Sequence, residues 1–178
     1  MSKLEVSARK FRILFQILFW VTPLVMMLFW GSYHTPLDYY SQFIPIDFSD
    51  VMLAPLTLGI RVLAFVVCLI PVAIIMFALH QLISLFRSYE RGEVFSLTNA
   101  NRYQKLGYSM FVWVIGGIVS STLLTLVVSL NNPPGHRLLT LSLTGTDLIN
   151  IVYGFLVLII AHVMQRAHRI NDENNLTI

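Results

Sequence analysis

Four long apolar segments alternate with polar segments along the chain. A helix needs about 20 apolar residues to cross the hydrocarbon core of a bilayer, and each segment is close to that length or longer. The pattern therefore predicts an all-α integral membrane protein with four transmembrane helices in a single membrane domain, residues 1–178. The predicted helices cover residues 11–30, 56–86, 106–130 and 148–164, with an outer loop at 31–55, a loop at 87–105 and a tail at 165–178.

The composition supports a membrane protein. Hydrophobic residues make up 56% of the 178 residues and charged residues only 12%, whereas charged residues form about 25% of an ordinary soluble protein. Such a chain has too little polar surface to cover a globule in water. The first apolar segment is as long as a complete span and longer than the hydrophobic part of a secretion signal, so we expect it to remain as the first helix.

Basic residues are concentrated in the N-terminal segment, the loop at 87–105 and the tail. These three segments hold ten of the twelve Lys and Arg residues. Because cytoplasmic loops are enriched in Lys and Arg, the distribution predicts that both termini and the loop at 87–105 are cytoplasmic. The ten residues are Lys3, Arg9, Lys10, Arg12, Arg87, Arg91, Arg102, Lys105, Arg166 and Arg169.

The predicted outer loop is acidic and contains no Lys or Arg. Arg61 follows it, in the first turns of the second predicted helix. A charged residue close to the hydrocarbon core is costly unless it reaches the interface or finds a partner. We therefore expect Arg61 to pair with Asp47 or Asp50.

The chain is organised around the basic segment at residues 86–107, which reads FRSYERGEVFSLTNANRYQKLG. Gly92 is suited to end the second helix, because glycine readily adopts the backbone conformation found after a helix end. Ser96 or Thr98 can cap the third helix through its hydroxyl group. The segment is therefore predicted to be a short, well-defined turn between two helices.

Two apolar residues, Val94 and Phe95, lie in the middle of this charged loop. In an internal interpretation, both fold back against the ends of the second and third helices, as apolar residues after a helix-ending glycine commonly do. In an external interpretation, both dock a partner, while Arg91, Arg102 and Lys105 attract its acidic surface. The pattern favours the internal interpretation, and both remain open.

The sequence lacks the common catalytic and nucleotide-binding motifs: it contains no GxSxG, HExxH, P-loop or Gly-rich dinucleotide fingerprint. Its single cysteine, Cys68, excludes a disulfide within the chain. Glu90 and Glu93 are interpreted as ordinary loop charges, because nothing indicates the burial that an acid–base pair needs. We therefore expect a protein that is not an enzyme and has no metal site.

Two histidines, His80 and His162, lie at similar predicted depth near the cytoplasmic ends of the second and fourth helices. Imidazoles on facing helices can bind a b-type haem or contact a quinone. In the alternative interpretation, each is an interfacial side chain that is hydrogen-bonded to a neighbouring helix. The alternative is favoured because haem sites need an exact facing geometry, and no cofactor is expected.

The loop and the tail resemble a known family. The segment RGEVFSLTNANRYQKLG is similar to the RGE-I/V-F-S/T…N…R…L…G segment of small bacterial four-span membrane proteins, catalogued as domain of unknown function 2975. The tail sequence ENNLTI resembles the ending of that family, and the resemblance covers residues 82–178. The matched residues are Arg91, Gly92, Glu93, Val94, Phe95, Asn99, Gly107, Leu176 and Thr177.

The resemblance implies a multi-pass protein of the bacterial cytoplasmic (inner) membrane. Members of that family are often encoded beside a short helix-turn-helix regulator of the Cro type, which suggests a soluble regulatory partner. The family supplies no catalytic residues and no cofactor. The candidate residues for partner docking or loop anchoring are Arg91, Gly92, Glu93, Val94, Phe95, Asn99, Arg102 and Lys105.

These observations favour a non-enzymatic sensor or tether, with a four-helix bundle in the lipid bilayer and a regulatory protein held by the cytoplasmic loop and tail. Two alternatives are a redox subunit that binds haem or quinone at His80 and His162, and an accessory subunit of a transporter. Direct binding of nucleic acid is not expected, because the basic loop is short and contains glutamates. Association into a homo-oligomer is left open.

Overall fold

The computed structural model of the chain is helical in the residues that it describes. These residues are 3–33, 35, 38, 51, 55–130, 132, 133, 135–141 and 143–175, and none of them lies in a strand. The prediction of an all-α class is therefore confirmed. The helices are α1 (Lys3–Ser32), α2 (Leu58–Glu90), α3 (Leu97–Ser129) and α4 (Gly145–Asn175).

All four helices are long and apolar enough to cross a membrane. In the most apolar part of each helix, only 11 to 28% of the residues are buried inside the chain. Trp20, Ile115 and Val163, for example, are 74%, 64% and 60% exposed. Because acyl chains can cover such side chains and water cannot do so favourably, the chain is a multi-pass membrane protein.

The helices extend beyond the apolar segments from which they were predicted. α1 begins at Lys3, α3 begins at Leu97 and α4 continues to Asn175. Hydropathy indicates only the part of a helix that lies in lipid, whereas the backbone hydrogen bonds can continue into water until a capping group ends them. At the start of α4, the backbone N–H and the hydroxyl group of Thr144 lie 2.8 and 2.7 Å from Oδ2 of Asp147, which is a capping arrangement.

Contacts divide the chain into two compact units. The loop unit comprises Met1–Trp20, Ile74–Val114 and Thr144–Ile178, and the aromatic unit comprises Val21–Ala73 and Ile115–Leu143. The single membrane domain over residues 1–178 stays a prediction.

In the loop unit, α3 and α4 approach closely at two glycines. A Cβ atom on Gly107 would lie 2.7 Å from the side chain of Leu158 and 3.2 Å from the carbonyl oxygen of Gly154. A Cβ atom on Gly154 would lie 3.0 Å from the ring of Phe111, and that ring packs edge-to-face on Phe155 with 5.1 Å between the ring centroids. Such small residues allow the close helix packing that stabilises helix pairs in membranes.

In the aromatic unit, large side chains form the core. The Phe29 ring lies 5.4 Å from the Trp30 ring and 5.0 Å from the Tyr33 ring, measured between centroids. The indole N–H of Trp30 donates a hydrogen bond to Sγ of Cys68 at 3.2 Å, so the single cysteine is a buried packing residue. The buried members of this core are Phe29, Trp30, Tyr33, Leu56, Ala64, Cys68, Leu124 and Val128.

A polar side chain organises the segment that follows α3. Nδ2 of Asn132 donates hydrogen bonds to the carbonyl oxygens of Val51 at 2.7 Å and His136 at 3.2 Å. Gly135 has a φ angle of 95°, a conformation that glycine adopts without steric cost. These contacts hold Asn132, Gly135 and His136 in a turn of the aromatic unit.

Candidate functional site

A glycine turn ends α2 at Glu90, where the candidate site begins. Gly92 has a φ angle of 78°, in the left-handed region that other residues rarely adopt. Its N–H donates a hydrogen bond to the carbonyl oxygen of Tyr89, and the N–H of Glu93 donates to that of Ser88, both at 3.1 Å. These bonds satisfy carbonyl groups that the helix end would leave unpaired, so Gly92 ends the helix as the sequence predicts.

Asn99 holds the loop backbone to the first turn of α3. The Oγ atom of Ser96 accepts a hydrogen bond from the N–H of Asn99 at 3.2 Å, so Ser96 is the residue that caps α3. The Asn99 side chain is fully buried, and its Nδ2 donates hydrogen bonds to the carbonyl oxygens of Glu93 and Val94. A buried amide with these partners fixes the path of the loop.

Arg102 joins the two helices that flank the loop. Its Nη1 group donates hydrogen bonds to the carbonyl oxygen of Ser84 at 2.9 Å and to Oγ of Ser88 at 2.6 Å, both on α2. It also donates to Oδ1 of Asn99 at 2.8 Å. Hydrogen bonds from a charged donor are stronger than those between neutral groups, so this guanidinium group orders the hairpin from within.

An ion pair and an aromatic cluster connect α1 to the end of α2. Nε of Arg12 lies 2.7 Å from Oε1 of Glu90, with both side chains about one-fifth exposed. Next to this pair, the rings of Phe11 and Phe15 each lie 5.4 Å from the ring of Phe86, measured between centroids. Glu90 therefore has a structural partner within the loop unit.

Several side chains of the site remain exposed and define what we call the loop face. Phe95 is 63% and Leu97 is 50% exposed, and three basic side chains of the same loop and its flanking turns are also exposed. The exposed side chains of this segment are therefore both apolar and basic. The internal hydrogen bonds described above fix the loop backbone that carries Phe95. The loop face consists of Arg87, Arg91, Phe95, Leu97 and Lys105.

The surroundings of the apolar pair differ between its two residues. Val94 is half-buried, and its backbone carbonyl group accepts a hydrogen bond from Asn99. Phe95 is 63% exposed. The internal and the external interpretation both stay predictions. Arg102 is only partly exposed and donates its hydrogen bonds within the chain, whereas Arg91 and Lys105 are exposed.

The two histidines of the redox alternative lie on α2 and α4, and both side chains are exposed. Among the described residues, no group of three or more His, Cys, Asp or Glu side chains is placed to hold a metal ion. No contact described in the structure brings His80 and His162 together, and the binding of a haem or a quinone by this pair stays a prediction.

Some predicted residues lie outside the described part of the chain. They include Asp47 and Asp50, the expected partners of Arg61, and Leu176 and Thr177 of the tail. Arg61 itself is described: its Nε atom is buried and, within the described residues, has no hydrogen-bond partner.

The partners that hold the loop have no motif in the sequence that would mark them. Ser84 and Ser88 supply the acceptors for Arg102, and the hydroxyl groups of Tyr89 and Tyr103 lie 2.8 Å apart. Spacing offered one signal: Ser84 and Ser88 are four residues apart and therefore share a helix face. The two serines lie in the last turns of α2, just before the turn at Gly92.

Comparison with known proteins identifies a family. A family model described as "Protein of unknown function (DUF2975)" matches residues 48–178, well over half of the chain. This match includes the loop and confirms the resemblance inferred from its motif. No curated protein matches the chain, and no solved structure does.

Proposed function

Because the chain belongs to the protein family of unknown function DUF2975, whose description assigns no activity, we propose a function from the loop site. The protein is a non-enzymatic sensor or tether of the bacterial cytoplasmic membrane. Its loop face binds a small soluble regulatory protein on the cytoplasmic side. The observation that carries the proposal is the exposure of Phe95 and Leu97, 63% and 50%, on an internally fixed loop.

The fixed backbone supports binding rather than a simple connection. Phe95 and Leu97 lie on either side of the capping residue Ser96, and Asn99 and Arg102 hold the turn from within. A preorganised loop loses little conformational entropy when it binds a partner. Exposed aromatic and aliphatic side chains on such a loop are the residue types that anchor protein interfaces.

The charge of the loop face indicates the chemistry of the partner. Arg87, Arg91 and Lys105 are exposed, and one carboxylate of the same loop, Glu93, is also exposed, so cations outnumber anions three to one. Glu90 is paired with Arg12. A partner with an apolar groove and an acidic rim would complement this surface, and its association would be steered by charge. A small helix-turn-helix regulator, as the family resemblance suggests, is the candidate to test first.

The test measures binding of the purified regulator to the protein in detergent, with the variant Phe95→Ala/Leu97→Ala. We expect the double variant to bind at least about tenfold more weakly, because truncation of an interface anchor typically costs 1 to 2 kcal/mol or more. Its melting temperature should stay close to that of the unchanged protein, because both side chains are exposed in the free chain. Unchanged affinity for the regulator would contradict the proposal.

The control variant truncates two leucines in the connection between α3 and α4. Leu139 and Leu141 are 70% and 75% exposed and are not part of the loop face, so Leu139→Ala/Leu141→Ala removes a similar apolar area from other residues. This variant should bind the regulator normally. Charge reversal at Lys105 and Arg91 should weaken binding mainly at low salt, where screening is weakest.

A bilayer surface is the competing occupant of the loop face. In the variant Phe95→Cys, a membrane-impermeant thiol reagent tests whether position 95 faces water, because the only other cysteine, Cys68, is buried. We expect position 95 to react in nanodiscs and to be protected when the regulator is added. Protection by the bilayer alone would assign Phe95 to the lipid headgroups instead.

The orientation in the membrane has its own test. A reporter inserted after Glu93 or fused after Ile178 should be cytoplasmic, and one inserted near Ser41 should lie on the opposite side, because ten of the twelve Lys and Arg residues are predicted to be inside. A cytoplasmic reporter at Ser41 would invalidate the four-span orientation and, with it, the proposed side of the loop face.

A further inference from the structure

Arg61 lies near the start of α2, three residues after Leu58, at the opposite end of the helix from the basic loop. Its Nε atom is buried and, in the part of the chain that the structure describes, donates no hydrogen bond. A guanidinium group that is partly withdrawn from water and has no anion beside it is unfavourable. An anion beside Arg61 would satisfy this buried N–H group and the positive charge together.

Arg61 is also part of the wall of a cavity of about 260 Å³ in the aromatic unit. The rest of the wall is apolar or aromatic and opens to the outside of the helices: Leu58, Met27 and Val62 are 78%, 64% and 54% exposed. Around a membrane-spanning helix, that outside is the lipid. The remaining residues of the wall are Trp30, Gly31 and Phe65.

We propose that this cavity binds one anionic phospholipid. A phosphate oxygen accepts hydrogen bonds from the guanidinium group of Arg61, and an acyl chain lies along Met27, Val62 and Phe65. A single cation next to an open apolar wall matches a molecule that joins an anion to a hydrocarbon chain. The position near the helix end places the guanidinium group at the level where lipid headgroups begin.

Other anions match only part of this site. Inorganic phosphate supplies the charge but nothing that covers Met27 and Val62. A zwitterionic lipid covers the apolar wall but carries a second, positive charge next to its phosphate. A carboxylate from Asp47 or Asp50 would satisfy Arg61 without any lipid, and this rival is included in the test.

The experiment titrates phosphatidylglycerol into the purified full chain in a non-ionic detergent and counts bound lipid by native mass spectrometry. Phosphatidylcholine and inorganic phosphate are titrated in parallel. We expect one phosphatidylglycerol molecule to bind preferentially and to raise the melting temperature. Arg61→Gln should lower its affinity about tenfold, as expected for the loss of a charge-assisted hydrogen bond. The matched control Arg137→Gln removes an exposed arginine and should leave the binding unchanged.

A second variant closes the cavity and keeps the charge. A Cβ atom on Gly31 meets nothing within 4 Å, so Gly31→Leu fits the backbone and places its side chain in the cavity space. This variant should also lose the bound phosphatidylglycerol. Gly59 likewise has no neighbour within 4 Å of an added Cβ and is not part of the cavity wall, so Gly59→Leu is the control that should bind normally.

Three results would overturn the proposal. The first is equal binding of phosphatidylglycerol by Arg61→Gln and by the unchanged protein. The second is an equal effect of phosphatidylcholine or inorganic phosphate. The third is binding that arises only in the double variant Asp47→Asn/Asp50→Asn, because this would show that the carboxylates hold Arg61. If Arg61→Gln fails to fold, the pair Gly31→Leu and Gly59→Leu decides the question.

Discussion

The loop unit and the aromatic unit are stabilised by different interactions. In the loop unit, Arg102 and Asn99 make directional hydrogen bonds around the turn, and α3 meets α4 at Gly107 and Gly154. In the aromatic unit, buried rings such as Phe29 fill the core. Because lipid is as apolar as these rings, the aromatic core gains mainly from close packing. The loop gains instead from directional hydrogen bonds, several of them donated by a charged group.

The largest expected effect is in the aromatic unit. Phe29→Ala removes a ring that is completely buried, and a truncation of this kind typically costs about 3 to 5 kcal/mol of unfolding free energy. Thermal unfolding in detergent should show a clear decrease of the melting temperature. Phe77→Ala is the matched control, because Phe77 is 46% exposed. Equal decreases for the two variants would remove the argument that a packed core holds this unit.

The next effect concerns the close approach of α3 and α4. Gly107→Val would place Cβ 2.7 Å from Leu158 and 3.2 Å from the Gly154 carbonyl oxygen, and we expect a cost of about 3 kcal/mol, at the upper end for overpacking. Gly117→Val on the same helix introduces the same side chain where an added Cβ meets nothing within 4 Å. Melting temperatures of the two variants measure the contact directly. A stable Gly107→Val protein would show that the glycine contact is dispensable.

Arg102→Met tests the hydrogen bonds of the loop unit. The change removes the donor for Ser84, Ser88 and Asn99, and we expect a loss of about 2 kcal/mol, as for hydrogen bonds to a charged group. The loop should also become more sensitive to proteases. Lys105→Met removes an exposed cation from the same helix and should change neither property. If the two variants behave alike, Arg102 is only a surface charge.

The smallest effect belongs to the ion pair between Arg12 and Glu90. Each side chain is about one-fifth exposed, so the coupling between them should be about 1 kcal/mol or less and should decrease as salt is added. A double-mutant cycle with Arg12→Gln and Glu90→Gln measures that coupling through the melting temperature. A coupling that is large and independent of salt would indicate a more deeply buried pair than the structure describes.

The sequence predicted the number and class of the helices because hydropathy reflects the long segments that lie in lipid. It predicted their ends less well, since α3 begins at Leu97 rather than at residue 106 and α4 continues to Asn175 rather than 164. These extensions depend on capping groups and backbone hydrogen bonds, which have no hydropathy signal. The types of the loop residues predicted the helix ends next to the loop more accurately. Gly92 ends α2, and Ser96, one of the two predicted capping residues, caps α3.

The candidate site was predicted as a segment but not as a set of contacts. From the sequence alone, Arg91, Arg102 and Lys105 are equivalent cations of one loop. In the structure, Arg102 donates hydrogen bonds to Ser84, Ser88 and Asn99, whereas Arg91 and Lys105 are exposed. Which of several cations turns inward depends on the positions of acceptors on another helix, and this is tertiary information. The resemblance named the correct family, although residue types alone carry no information about the contacts that hold the loop.

The arginines at the two ends of α2 have a mechanical consequence. Arg61 and Arg87 are 26 positions apart, which corresponds to about 39 Å along the helix at 1.5 Å per residue. This length exceeds the roughly 30 Å of the hydrocarbon core and approaches the full thickness of about 40 to 45 Å that includes the headgroups. The spacing exceeds the core by about 9 Å, so a centred α2 could slide along its axis by only about 4 to 5 Å in either direction before one guanidinium group reached hydrocarbon. The two charges therefore limit axial shifts of the helix to a few ångströms, and larger changes of bilayer thickness would have to be met by tilting.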